Sequence, residues 1–240
     1  MNPNKSIDGT PQIAEENTSN TKAANKLFQD ITLEQLLGGR NYRMIGDQML
    51  FEKEGVYYLT TIDYEQTYSA KEYAKLPEGA PFQLIEGKLI YMPSPYVIHQ
   101  RISIRLSSKL FNYVEEKELG EVHYAPLDVH FDEENVFQPD LLFVSVSRKD
   151  IIQNFIQGAP DLVVEILSKG TKKVDEETKM KVYGKHNVLE YWMIHPVKKW
   201  VKIFENQEGE MVESAVLEEE GSFESKAVEG FILDVGELFK

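Results

Sequence analysis

The chain has no cysteine. Its absence removes a disulfide framework, a thiolate nucleophile and a thiolate zinc site together. Long apolar runs are also missing, since no stretch approaches the roughly 18–20 uninterrupted apolar residues of a membrane span. The opening "MNPNKSIDGTPQIAEENTSNTKAANK" lacks the apolar core of a secretory signal. A cytoplasmic protein with no membrane partner is the expectation. Basic charge is scarce: 26 Lys+Arg stand against 40 Asp+Glu, a net charge of −14, which argues against a generic nucleic-acid binder. The deficit is uneven, however. Residues 205–229 hold nine Glu and one Lys, whereas residues 61–204 hold 18 Lys+Arg against 21 Asp+Glu. The middle of the chain is near neutral, so nucleic acid stays open as a substrate. No HExxH pair, GxSxG elbow, phosphate loop or dinucleotide fingerprint is present.

What is there is enough apolar residue for a sizeable core, 42% of 240 residues. Residues 1–25 read as a disordered arm, poor in large apolar side chains. Residues 26–65 read as an N-terminal extension with a short helix, "ITLEQLLGG", and a hairpin turning at Glu54-Gly55. The main domain spans 66–240. It opens with a short helix capped by Thr67 or Ser69 and ending before Pro77. A hairpin follows, turning at Glu86-Gly87-Lys88. Ile98, Ile102, Leu106, Leu110 and Val114 form one apolar stripe, so 96–117 is a long helix that Gly120 ends. "EVHYAPLDVHF" and "VFQPDLLFV" each read as a strand, and "DLVVEILS" as a central one, apolar on both faces. "DEETKMKVYGKHN" reads as a helix, and "EYWMIHPVKKWVKIFEN" as a hairpin around Pro196, with a weak strand or two after it. One long helix before the strands and one after predict an α/β sandwich on a mixed sheet.

Two phrases repeat: "QPDLLFVS" at 138–145 and "APDLVVEILS" at 159–168. The second carries Glu165 in the middle of its apolar run. An ionised carboxylate there costs several kcal/mol unless it is paired or bound to a metal. Asp140 stands at the mouth of the preceding strand. If the two strands are neighbours, Asp140 and Glu165 converge on one divalent cation, and two carboxylates plus waters suit Mg²⁺ or Mn²⁺. Such a cation polarises a phosphodiester and activates water. A cationic side chain is expected beside it, to offset the negative charge of the transition state. The slot two residues beyond Glu165 is Leu167, so no lysine stands there; Lys172, Lys173, Lys179, Lys181 and Lys185 lie on or near the following helix, which could lie across the sheet and return one to the carboxylates.

The segments "PFQLIEGKLIYMPSP", "HQRIS", "QPDLLFV", "GAPDLVVEILS", "DEETKMKVY" and "NVLEYWMIHP" together resemble the Uma-two family of restriction-endonuclease-like proteins, over roughly residues 65–240. The resemblance implies a restriction-endonuclease-like α/β core, a variant of the PD-(D/E)xK nuclease fold with a mixed sheet flanked by helices. It implies that Asp140 is the Asp of the PD element and Glu165 the acid of the (D/E)xK element, the two metal ligands. "ETKMKVY" aligns Lys179 with the missing lysine, ahead of Lys181. Family members usually carry Glu where this chain has Gln83, and often Asp where it has His195, a turn position. Gln83 and His99 are further candidates for an assisting role.

The leading expectation is therefore a Mg²⁺- or Mn²⁺-dependent endonuclease acting on DNA, with Asp140, Glu165 and Lys179 as its catalytic residues. A homodimer is a candidate assembly, because nucleases that cut both strands commonly work in pairs. The competing expectation is a catalytically lapsed descendant that keeps the fold as a binding or assembly module; Gln83 and the acidic balance speak for it. Asp161 is expected to be a strand-start residue that binds backbone N–H groups. Trp192, Trp200, Tyr191 and Phe204 are expected to pack the hairpin faces.

Overall fold

The computed structural model describes residues 39–45, 48–61, 66–76, 79–168 and 174–240. The expected arm and the helix "ITLEQLLGG" lie outside the described residues. Three strands come first, β1 (Arg40–Ile45), β2 (Gln48–Lys53) and β3 (Val56–Thr61), joined as an antiparallel sheet in that order. The β2–β3 turn falls on Glu54-Gly55 as expected, with both residues at positive φ. Helix α1 (Ala70–Tyr73) is capped by Ser69, whose side chain accepts from the Glu72 N–H while Glu72 reaches back to the Ser69 N–H. The next hairpin joins β4 (Phe82–Ile85) to β5 (Lys88–Tyr91) through Glu86-Gly87.

Helix α2 (Val97–Glu116) buries Ile102, Leu106, Leu110 and Val114, the stripe that the four-residue spacing marks out. Ile98 of that stripe is 40% exposed, and His99 is buried in its place at the first turn. Gly120 does not end this helix, which closes at Lys117. It opens β6 (Gly120–Tyr124), where a Cβ would stand 2.1 Å from the Val144 carbonyl oxygen. Glycine is needed there for the close approach of two strands.

Two segments that read as single strands are each divided between sheets. "EVHYAPLDVHF" gives β6 and β7 (Val129–His130), and "VFQPDLLFV" gives β8 (Val136–Phe137) and β9 (Leu141–Ser145). Pro126 and Pro139 sit at the divisions, where a residue without an N–H interrupts a ladder. Strands β6 and β9 join a six-stranded sheet, while β7 and β8 join β4 and β5. Beyond β9 come β10 (Ile156–Gln157), β11 (Leu162–Ile166), a π-helical turn (Val174–Lys179) and α3 (Met180–Lys185). They are followed by β12 (Glu190–His195), β13 (Trp200–Gln207) and β14 (Glu210–Glu218), then β15 (Ser222–Glu224), β16 (Ile232–Asp234) and α4 (Val235–Leu238). The β14 strand, nine residues long, is no weak tail strand; it pairs along β13.

The six-stranded sheet runs β14-β13-β12-β11-β9-β6, mixed because β11 and β12 are parallel and the other pairs antiparallel. One face packs α2 and the C-terminal segment: Leu141, Phe143, Val164, Ile166, Trp192 and Ile194 meet Leu106, Leu110 and Leu233. The other packs α3 and the five-stranded sheet β10-β7-β8-β4-β5: Leu142, Val163, Tyr191 and Met193 meet Tyr183, Phe137 and Val129. A third cluster seats Met49 and Phe51 of β2 on Phe82, Leu84 and Leu89. The hairpin residues divide by alternation: Tyr191 stacks on Phe204 on one face, and Trp192 meets Phe223 and Phe231 on the other.

Glu190, 1% exposed, ties the C-terminal segment to this sheet. Its carboxylate accepts from the Ser225 hydroxyl and, at 3.2 Å, from the Ala227 N–H. Burial raises its pKa above 4.5, and these hydrogen bonds only partly oppose that. The native state thus keeps this proton to higher pH than the unfolded chain does. The associated stability is complete below the unfolded value and is lost as pH rises through the raised one. Glu190→Gln is therefore expected to raise the melting temperature at about pH 7, with the gain shrinking towards acid pH. A gain that grows on acidification would contradict this.

Candidate active site

Strand β11 is interior to the six-stranded sheet, between β9 and β12. Its register with β9 pairs Val163 with Leu142 and Val164 with Leu141. One further step along that antiparallel register sets Glu165 opposite Asp140. Alternation turns Glu165 to the same face as Val163, the face covered by α3. The two acids are thus neighbours across two adjacent strands, the condition on which their convergence was expected.

Glu165 is 4% exposed and Lys179 1%. Lys179 Nζ donates to Glu165 Oε1 at 2.8 Å, and the Tyr183 hydroxyl donates to the same oxygen at 2.6 Å. Lys179 closes the π-helical turn and Tyr183 lies one helical turn on in α3, so the two project from the same side. Lys181 lies two residues from Lys179, roughly 200° around the helix, and is exposed. The structure brings Lys179 to Glu165 and leaves Lys181 outside. Leu167, in the expected lysine slot, is buried among apolar side chains.

Asp140 is held from two sides. Its Oδ2 accepts from the Ile166 N–H at 2.6 Å, and its Oδ1 lies 3.1 Å from His99 Nε2. His99 reaches it from the first turn of α2. Burial works against an imidazolium here, but the Asp140 hydrogen bond and charge, with the Glu165 charge behind them, hold the His99 pKa above 6.5. The side chains of His99 and Asp140 are 11% and 17% exposed, those of Lys179 and Glu165 1% and 6%. The site is therefore reached from the Asp140–His99 side, with the Glu165–Lys179 pair at its floor.

Gln83 approaches from the other sheet. It is 1% exposed, and its Oε1 has no hydrogen-bond partner among the described residues. The β4–β8 register pairs Leu84 with Val136, so one step on sets Gln83 across from Phe137. The Phe137 ring lies 5.8 Å beneath Lys179 Nζ and edge-on to Tyr183. Opposed residues of an antiparallel pair share a face, which directs Gln83 toward the same interior.

Among the described residues no group of three or more His, Asp or Glu side chains forms a ready cation cage. The donor set nevertheless suits a hard cation. It offers two carboxylates on adjacent strands, while the Gln83 Oε1, buried and without a hydrogen-bond partner among the described residues, belongs to the sheet packed on that face. Mg²⁺ commonly takes one or two carboxylates and keeps several waters, so the two carboxylates suffice.

Of the other residues singled out, Asp161 serves the backbone: its Oδ2 accepts from the Ser145 N–H at 2.7 Å, and its Oδ1 pairs with Arg148 at 3.4 Å. His195 accepts from the Lys198 N–H in the β12–β13 turn, and His186 pairs with Asp132. Tyr183 and Phe137 went unmarked by sequence. A tyrosine four residues after a lysine ordinarily signals a helix face packed on the core, which is also true of Tyr183.

A mixed sheet flanked by helices, with a buried acid–lysine pair beside an aspartate on the next strand, defines a restriction-endonuclease-like α/β protein. Residues 70–236 match the Uma2 family model, described as "Putative restriction endonuclease", and the chain belongs to that family. A solved structure from Anabaena variabilis ATCC 29413, described as "a putative nuclease belonging to DUF820", is similar with a TM-score of 0.63. It is 25% identical in sequence, over 71% of this chain and 97% of that one. No curated protein is similar enough to count as a match. No helix among the described residues is long and apolar enough to cross a membrane.

Proposed function

We propose that this protein is a metal-dependent endonuclease that hydrolyses phosphodiester bonds in DNA. The observation that carries this reading is the buried Lys179–Glu165 pair facing Asp140. Replacing a buried ion pair by apolar residues is commonly neutral or stabilising, so fold stability is a poor reason to keep one. Function is the better reason.

Asp140 and Glu165 would hold Mg²⁺ or Mn²⁺. Bound there, the cation polarises a phosphodiester and lowers the pKa of a water molecule. Lys179 places its positive charge where the phosphodiester transition state gathers negative charge. Tyr183 and Lys179 together hold Glu165 Oε1, while His99 and the Ile166 N–H hold Asp140, so both carboxylates are oriented before any substrate arrives. Burial of the floor excludes water from the acid–lysine pair, which strengthens its electrostatics.

The test is cleavage of supercoiled plasmid with Mg²⁺ or Mn²⁺, wild type beside Glu165→Ala. Nicking by the wild type that disappears in the variant is the expected result. Either cation should also raise the wild-type melting temperature, and Glu165→Gln should abolish that shift. A second reading is a lapsed nuclease serving as a binding or assembly module, which the neutral amide at Gln83 favours. Absence of both nicking and the metal-dependent shift, across DNA forms and salt concentrations, would decide for it.

A further inference from the structure

Helix α2 carries a second apolar stripe, on the side away from the core. Val97, Ile104 and Phe111 are 74%, 63% and 49% exposed. They recur every seven residues, so they fall within about 40° of one another around the helix. Their line lies opposite Ile102, Leu106 and Leu110, which face the sheet. Gln100, Arg101, Ser107, Ser108 and Glu115 border it.

We propose that this face pairs with the same face of a second copy of the chain, the two α2 helices running antiparallel. Three features choose this partner and orientation. The first is charge. Arg101 stands on the N-terminal half of the stripe and Glu115 at its C-terminal end, and both are exposed. The other two cations of the helix are used within the chain: Arg105 donates to the Leu238 carbonyl and Lys109 pairs with Glu237. An antiparallel pair centred on Ser107 and Ser108 brings Arg101 of each copy beside Glu115 of the other and stacks Ile104 against Phe111. A parallel pair sets like charges together.

The second feature is the crossing point. Ser107 and Ser108 are small enough to let two helices approach closely. Both hydroxyls already donate to the Ile104 carbonyl, at 3.2 Å and 2.7 Å. Burying them against a second copy leaves no donor unsatisfied. The third is symmetry, since a two-fold axis through the helix midpoint makes one patch its own complement. The first turn of α2 carries His99, so the pairing sets the two candidate active sites at opposite ends of the helix pair. The two copies of His99 lie roughly 25 Å apart along it at 1.5 Å per residue. The inference does not depend on the nuclease reading.

A chain without cysteine makes the test direct. Ser108→Cys puts one thiol near the two-fold axis, and mild oxidation is expected to give a disulfide-linked dimer. Val97→Cys puts its thiols at opposite ends of the pair and is expected to stay unlinked. In sedimentation at micromolar concentration the wild type should be a dimer. Ile104→Glu should be a folded monomer, because Ile104 makes little use of the chain's own core. Arg101→Glu should weaken the dimer at least tenfold, and Arg101→Glu with Glu115→Arg should restore it. A wild type that sediments as a monomer overturns the proposal. So does a dimer indifferent to Ile104→Glu, or equal cross-linking at 97 and 108. A monomer that loses thermal stability on Ile104→Glu also overturns it, by reporting that a segment of the same chain covers the face.

Discussion

Lys179→Met is expected to lower metal-dependent nicking by about 10²–10³-fold, the usual loss when one donor to a developing charge is removed. The same change should cost about 3–5 kcal/mol of stability, because it leaves the Glu165 carboxylate buried without its cation. Lys179 is 1% exposed, so no water replaces it at low cost. Lys181→Met, two residues on and exposed, should change stability by less than about 0.5 kcal/mol and leave nicking intact. Pairing Lys179→Met with Glu165→Gln removes the orphaned charge. The double variant should therefore recover much of the lost stability while staying inactive, which shows that inactivity of the site does not require unfolding. Urea titrations beside plasmid assays read both. Equal effects from the two lysine variants would sink the assignment.

Gly120→Ala should destabilise the protein by about 3 kcal/mol, the upper end of an overpacking penalty. The added Cβ would lie 2.1 Å from the Val144 carbonyl oxygen and 2.8 Å from the Ser145 Cα. Both are backbone atoms of β9 and cannot rotate away as a flexible side chain does. Gly120 also pairs with Ser145 at the end of the β6–β9 ladder, so relief requires those strands to separate. That would loosen the edge of the sheet beneath α2. A shift of the urea midpoint at constant slope is the readout; an unchanged midpoint would show that β6 yields there without cost.

Both predictions turn on features that sequence reveals unequally. The bounds of α2, the Glu54-Gly55 and Glu86-Gly87 turns and the interior position of β11 were legible because each rests on local pattern. The juxtaposition of Asp140 and Glu165 was legible only on the condition that their strands pair, and the fold supplies that pairing. The division of 121–131 and 136–145 between two sheets was not legible. Alternation of apolar and polar residues continues through Pro126 and Pro139, and a strand bound to either sheet has the same period. Gly120 read as a helix stop because glycine punctuates both helix ends and close strand contacts. Tyr183 looked like core and is core; its second task depends on where its hydroxyl points. Gln83 showed only as a departure from the family, and that its Oε1 has no hydrogen-bond partner among the described residues is visible only in the fold.

The lysine of this site and its acid are encoded fourteen residues apart, on different kinds of secondary structure. Inheritance can therefore change one without moving the other. A lysine built into the strand is locked to an acid two residues away, and any insertion between them is lethal to the pair. The charges that meet at Glu165 are thus set by how the helix packs on the strand rather than by spacing within the strand.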